Sequence, residues 1–421
     1  MNADDRETGW TMNEATGVLS GVRVVECSLL SPSGVGQHLA DLGADVIKVE
    51  APGEGDYVRR VSWPVIDGIS LEHWHWNRGK RSIAIDLRTI DGVEIFLDLV
   101  RNADAVVEGM RHGALDRRGL TWDRLRATNP SVVLCRMSGY GNSGPYRDIP
   151  SHGLAFDSIA GIAPPATTAD GFPSIPRHTS IGMHAGALYA AFALVSAVLH
   201  ARATGHGRVF EVAQADAAIA WNWLHIEGAV AYERPDDEVT GSTGDGVRRA
   251  IGFDDFADAV RYQYYETADG HVLFMASERK FWRNFCAAVG RLDLFDANPG
   301  REVADHALGN TSLRAALVEI FRTRTTQQWM AFGEEIDVPI APVYNASSLR
   351  ADPHVQHRTE WLASSTHGAD LMRTPIKFLD TELPSPVKAP TVGQHTDEVL
   401  REVLGYDQAR IDSLRTSRVV A

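Results

Sequence analysis

From Val22 to Met137 the chain alternates short apolar runs with helix-like stretches, and this rhythm restricts the fold more than any other feature. VRVVEC from Val22, DVIKV from Asp45, ADAVVE around Val106 and SVVLCRM from Ser131 are brief and rich in β-branched residues, as strands are. Between them lie helical stretches over residues 37–42 and 92–101, and one that opens at Thr121 as N-cap. Strands that alternate with helices read as βαβ units, so the expected class is α/β with a largely parallel, doubly wound sheet.

The rhythm changes downstream. Residues 181–199 (IGMHAGALYAAFALVSAVL) approach membrane-spanning length, but the run is rich in Ala and Gly and carries His184, so it is expected to be a buried helix. A strand from Arg208 and one amphipathic helix over 213–232, carrying Trp221 and Trp223, follow. Residues 234–258 are acidic, Gly-rich and aperiodic, which marks a linker or loop. YQYYETADGHVLFMA then signals a hairpin around Asp269 and Gly270, with helices expected over 278–289 and 313–322. Residues 337–349 return to sheet-like sequence, and 395–414 read as one charged amphipathic helix. The domain expectation is a large Rossmann-like domain begun by 1–228, a linker at 229–258, a small α+β domain at 259–336, and a linker with the rest of the large domain at 337–421.

Forty-one basic residues against fifty-five acidic ones give a net charge of −14, which argues against nucleic acid or an anionic membrane as partner. An anionic ligand would need a local basic pocket. Cys27, Cys135 and Cys286 are far apart in apolar contexts, suggesting neither disulfides nor a metal cluster, and a reducing cytoplasm is the expected location. The first seventeen residues are polar and acidic, unlike a secretory signal.

Four strings, at 39–56 (LADLGADVIKVEAPGEGD), 77–89 (NRGKRSIAIDLRT), 113–130 (GALDRRGLTWDRLRATNP) and 139–150 (GYGNSGPYRDIP), resemble the family III CoA-transferases. That family includes formyl-CoA and carnitine CoA-transferases and the α-methylacyl-CoA racemases. Further matches at 204–217, 268–276, 338–343 and 393–405 extend the resemblance over nearly the whole chain, in order. It implies a Rossmann-like large domain built from both termini, a small middle domain, and two linkers that let subunits interlock as a ring-like dimer. Coenzyme A or an acyl-CoA would be a substrate, with no permanently bound cofactor.

Coenzyme A carries a 3′-phosphate and a pyrophosphate, which guanidinium groups match in bidentate geometry. Lys80, Arg81, Arg88, Arg111, Arg117 and Arg118 are the basic candidates. By resemblance Arg88 and Arg117 stand out, with Ser28, Leu30 and Ser31 beside the nucleotide and Ile85 and Met110 against the adenine. Gly139, Gly141 and Gly144 form a G-x-G-x-x-G after a strand, but Pro145 and Pro150 follow and no helix opens there, so a loop near the thioester is expected rather than a dinucleotide site.

In such transferases an aspartate attacks the donor thioester to give a mixed anhydride, and the returning CoA thiolate converts it to an aspartyl thioester that the acceptor acid consumes. Counting back from Thr204 and Gly205 places Met183 at that position, and 177–189 (RHTSIGMHAGALY) hold no carboxylate. A thioether cannot be the carrier. His152 matches the racemases' catalytic histidine, Gly153 replaces the aspartate that commonly follows it, and Asp157 is a weak candidate for a displaced nucleophile, expected to face another side of its helix. The alternation His73, Trp74, His75, Trp76 suggests cavity or interface packing more than a metal site. The expected function is therefore a CoA-transferase subunit, moving CoA between an acyl-CoA such as succinyl-CoA and a carboxylic acid, whose nucleophile resides on a homologous partner in a heterodimer or heterotetramer. A racemase-like enzyme using His152, or a non-catalytic acyl-CoA-binding protein, is the alternative, and a homodimer the alternative assembly.

Overall fold

The computed structural model describes residues 17–239, 248–301 and 304–421. It divides into two compact units, Met1–Asn222 with Thr359–Ala421, and Trp223–Arg358. The expected linker at 229–258 thus falls within the second unit, apart from 240–247, which lie outside the described residues.

The first unit is built on six parallel strands, β1 (Arg23–Ser28), β2 (Asp45–Glu50), β3 (Lys80–Ala84), β4 (Ala105–Gly109), β5 (Val133–Ser138) and β6 (Val209–Ala213), in the spatial order β6-β5-β4-β1-β2-β3. Read from one edge this is 3-2-1-4-5-6, the doubly wound order of dinucleotide-binding sheets. Burial on both faces explains why β1 and β4 are hidden from end to end, so that polar alternation is missing from them.

Successive side chains pass to opposite faces and meet different helices. Val25, Ile47, Val106 and Leu134 pack against α3 (Ile90–Arg101), whose Ile95, Phe96, Leu99 and Val100 form its inner stripe. Val24, Val46, Val107 and Val133 meet α1 (Ser33–Ala40) and α6 (Ile181–Thr204) on the other face. Between these helices lie α2 (Leu71–Trp76), α4 (Trp122–Thr128) and α5 (Gly153–Ile159), and α7 (Gln214–Trp221) follows β6. The Thr89 and Thr121 hydroxyls cap α3 and α4 by accepting from Gly92 N (3.0 Å) and Arg124 N (3.4 Å).

The C-terminal residues rejoin this unit. Ile85 bridges to Val420, and Thr396 Oγ1 donates to the Ala421 carbonyl (2.6 Å) and accepts from Ala84 N (3.1 Å). The second unit has its own sheet, β7 (Tyr262–Glu266), β8 (His271–Met275) and β9 (Ile340–Pro342), antiparallel throughout. The hairpin turns at Asp269 and Gly270 as expected, with Thr267 N donating to the Gly270 carbonyl (2.9 Å). Helices α8 (Arg279–Ala288), α9 (Thr311–Phe321) and α10 (Thr326–Glu335) close an aromatic core of Phe274, Trp282, Phe285, Phe321 and Trp329.

Three helix expectations need correction. Residues 213–232 form two helices, α7 and Trp223–Ala231, broken at Asn222. The tail 395–414 is also broken: Gly405, in the left-handed region at φ 68°, interrupts it, and a new helix α11 (Gln408–Thr416) starts from the Asp407 cap. Only one face of α6 is buried, while Leu188, Tyr189, Phe192 and Leu199 are exposed. By length and hydropathy α6 is the one helix among the described residues apolar enough to cross a membrane.

Candidate functional site

In doubly wound sheets ligands sit beyond the carboxyl ends of the strands, where the order reverses. Here that place lies between β1 and β4. The turn after β1 crosses it, Leu29 N donating to the Gly109 carbonyl (3.1 Å). Leu30 adopts a left-handed conformation (φ 58°), and the buried Ser31 hydroxyl donates to Gln214 Oε1 (2.7 Å) at the start of α7. Ser28 is buried, its hydroxyl bonded to Glu26 (2.9 Å) and Ser33 (3.0 Å). Of the expected nucleotide neighbours, Ile85 is a core residue and Met110 packs half-buried against the same core.

Beside this point a groove of about 510 Å³ is floored by Leu87, Ile90 and Val93 and walled by Arg88, Arg117, Arg118 and Arg124, with Glu94 the carboxylate in its lining. The four guanidiniums come from the β3–α3 turn, the segment after β4, and α4. Arg88 is 80% exposed and held by Asp86, to which Nε and Nη2 each donate at 2.8 Å; the pairing raises Arg88 and lowers Asp86 from their ordinary pKa values. Arg117 and Arg118 donate to the His112 (2.9 Å) and Ala114 (2.7 Å) carbonyls, which leaves other N–H groups of each fork for an anion.

The structure therefore selects among the six basic candidates. Arg88, Arg117 and Arg118 converge, and Arg111 is exposed outside the groove lining. Lys80 is wholly buried against Glu26 (2.8 Å), and Arg81 is bound by Asp45 (2.7 Å) and Glu398 (3.1 Å), so neither is available to a phosphate. Arg124 was missed from sequence because it reads as an ordinary charged residue in the first turn of an amphipathic helix.

The second part of the site is the junction of α5 and α6. Met183 lies in the first turn of α6, and its thioether rests on Gly153: a Cβ there would stand 2.6 Å from Met183 Sδ. Met183 and Gly153 are thus in contact, and a larger residue at 153 would oblige the flexible Met183 thioether to move. His152 is exposed at the N-cap of α5 without capping it through its side chain.

Asp157 is completely buried and faces the start of α6. Its carboxylate accepts from Gly182 N (2.8 Å) and Ser180 Oγ (2.7 Å), and His178 Nε2 stands 3.1 Å away but off the hydrogen-bond line. It caps the helix that carries Met183, where the macrodipole favours a carboxylate. As placed, it has no surface from which to attack a thioester. His178 was not singled out from sequence, since only the fold brings it to Asp157.

The remaining sequence features are scaffold. Residues 139–152 form a loop without helix, and α5 opens only at Gly153. His73 Nε2 donates to the Pro390 carbonyl (3.2 Å) while Nδ1 accepts from Asn77 (3.1 Å), and Trp74 packs with Leu362, Leu371 and Ala389. Trp221 and Trp223, by contrast, are more than half exposed. No group of three metal-ligating side chains occurs among the described residues.

Residues 19–396 match CoA-transferase family III. The chain is 28% identical over 412 residues to the succinyl-CoA–L-malate CoA-transferase beta subunit of Chloroflexus aurantiacus, covering 96% of this chain and 98% of that one. It is 31% identical over 415 residues to the succinyl-CoA–D-citramalate CoA-transferase of the same organism, with 96% and 98% covered. Among solved structures it is similar to a CaiB/BaiF family protein from Brucella suis (TM-score 0.73, 27% identity, 92% and 100% covered). A hypothetical protein from Mycobacterium tuberculosis matches with TM-score 0.71 and 25% identity over 91% and 99% of the two chains.

Proposed function

The chain belongs to CoA-transferase family III, and from that premise we propose that it is the subunit of a heteromeric transferase that holds a CoA thioester while a homologous partner supplies the acyl-carrying aspartate. The observation that carries this reading is at the α5–α6 junction. Residue 183 is a thioether, and the carboxylate the fold brings closest to the start of α6, Asp157, is buried and engaged by Ser180 and Gly182. A relative named as a beta subunit supports division of labour between chains.

In this assignment the Arg88, Arg117 and Arg118 groove takes the coenzyme phosphates, and Leu30 and Met110, the half-buried members of the expected set, border the nucleotide. The partner's carboxylate attacks the thioester carbonyl, the C–S bond breaks, and CoA leaves as thiolate. The thiolate then attacks the aspartyl side of the mixed anhydride and releases the donor acid. Attack of the acceptor carboxylate on the aspartyl thioester, followed by return of the thiolate, yields the new acyl-CoA and restores the aspartate. Succinyl-CoA is the proposed donor, the thioester named for several relatives. The assembly is a heterodimer or heterotetramer of interlocked chains working in the cytoplasm.

The test uses the purified chain with succinyl-CoA and a panel of dicarboxylic acids, alone and co-expressed with a homologous chain carrying the aspartate. Transfer, and a hydroxylamine-sensitive adduct on the partner only, are expected from the pair. Transfer at comparable rates by the lone chain overturns the reading. Deuterium uptake at the α-carbon of an acyl-CoA by the lone chain would instead move the chemistry to His152.

A further inference from the structure

We propose that six charged side chains buried beneath the β1–α1 turn, Glu26, Lys48, Glu50, Asp56, Arg59 and Lys80, act as positioning residues that hold the turn in its coenzyme-receiving shape. That the turn receives coenzyme rests on the reading above; that the charges hold the turn does not.

Burying ions costs more than burying apolar groups of the same size, so a closed set of three carboxylates and three cations is not explained by stability alone. What they touch explains it better. Lys48 Nζ donates to the Ser28 carbonyl (3.0 Å) and to Ser33 Oγ (2.7 Å), at the two ends of the turn. Lys80 Nζ donates to the Ser33 carbonyl (2.7 Å). Both Asp56 oxygens accept from Leu30 N (3.3 Å each), the residue whose left-handed backbone is costly for a side chain with a Cβ.

The rest of the set orients these three. Glu26 pairs with Lys48 (3.3 Å) and Lys80 (2.8 Å), and Asp56 with Lys48 (3.0 Å). Glu50, bonded bidentately to Arg59, accepts from Asp56 N (2.9 Å) and Ser82 Oγ (2.6 Å), fixing the segment that presents Asp56. Helix α1 is seated directly on the network, since a Cβ at Gly36 would lie 1.9 Å from Glu26 Oε2. Burial, set against attraction to Glu26, takes Lys80 down to about 8. For Lys48 the carboxylates Asp56, Glu26 and Glu50 outweigh burial and hold the ammonium above its ordinary value.

Lys48, Glu50, Asp56 and Arg59 supply four of the five charges in KVEAPGEGDYVR (48–59), and Lys80, the lysine of NRGK (77–80), is the member of the set for which the sequence suggests a phosphate. Their effect on the coenzyme is indirect, through backbone atoms of a turn from which Ser31 reaches Gln214.

The experiment compares Asp56→Asn, alone and with Leu30→Gly, by amide hydrogen exchange and by calorimetric titration with free coenzyme A. Exchange over residues 29–33 should rise about tenfold or more in Asp56→Asn while peptides of α3 keep their protection. Coenzyme affinity should fall about tenfold, and Leu30→Gly should bring it back to within about threefold, because glycine takes the left-handed conformation unaided. A merely structural Asp56 would not be rescued by a glycine in the turn. Unchanged exchange over 29–33, or no rescue with the fold intact, overturns the proposal. Should Asp56→Asn fail to fold, Ser33→Ala removes a single hydroxyl from the network, and the same amides must still exchange faster. If the wild type itself fails to bind coenzyme A, the coenzyme reading falls, and the exchange measurements still decide whether the network holds the turn.

Discussion

The switch point of the large sheet and the α5–α6 junction differ in how many groups fix each atom that matters. At the switch point the turn after β1 is held by Lys48, Lys80, Asp56, the Gly109 carbonyl and Gln214 together. At the junction the chemistry would depend on the identity of one side chain, and residue 183 is a methionine resting on a glycine. Geometry defined by many partners survives drift at any one of them, whereas a nucleophile is present or absent in a single atom. The comparison therefore separates holding a thioester from reacting with it.

The strongest way to break this contrast is to restore the reactive atom. Met183→Asp in the lone chain should give a hydroxylamine-sensitive acyl-enzyme with succinyl-CoA, detected by mass spectrometry, where wild type gives none. An adduct on the wild-type chain would end the distinction between the two regions.

Next in size is the basic groove. Arg88→Ala and Arg117→Ala should each weaken coenzyme A binding by about 10-fold or more, as charge-assisted hydrogen bonds to phosphate are lost. Arg81→Ala, whose guanidinium belongs to Asp45 and Glu398, should leave the affinity within about twofold. Titration calorimetry at two salt concentrations separates the outcomes, and equal losses in all three variants would dissolve the groove as a distinct feature.

A smaller effect sharpens the other side. Gly153→Ala should destabilise the first unit by no more than about 1 kcal/mol, because the new methyl meets Met183 Sδ and the flexible thioether must give way, and Met183→Ala should relieve most of that cost. Denaturant unfolding of the four chains in the cycle measures the coupling. Additive losses would mean that the two substitutions are unrelated.

The smallest concerns pH. Burial works to raise Glu50, but Arg59, Lys48 and Ser82 win and take it down to about 2. The unfolded carboxyl, near 4.5, then binds more protons than the folded one in this window, so Glu50 contributes stability that is fully present above pH 4.5 and lost as pH falls toward 2. Thermal melting of wild type and Glu50→Gln should show a flatter acid limb in the variant; parallel limbs would contradict the assignment.

Five of the six strands of the large sheet were readable because runs of β-branched residues leave a strong local signal, whereas the edge strand β3, KRSIA, carries two charges and a serine and lacks that signal. Helix continuity was less readable. The pattern over 213–232 and 395–414 does not register that Asn222 and Gly405 interrupt the backbone. Charge was hardest to read. Lys80 and Arg88 look alike in sequence, yet one is buried in an ionic network and the other stands at a groove, because strand alternation turns Lys80 inward and the turn before α3 turns Arg88 out.

By itself the sequence determined the βαβ alternation, the family, and the methionine at 183, since each of these is a property of neighbouring residues or of a single side chain. Only the tertiary structure decided which cations line the groove and which are buried in ion pairs, that Asp157 caps a helix, and that Met183 and Gly153 are in contact. Those outcomes depend on partners as far as 317 residues apart, as Arg81 and Glu398 are, and burial and pairing at such separations are set by packing rather than by any local pattern.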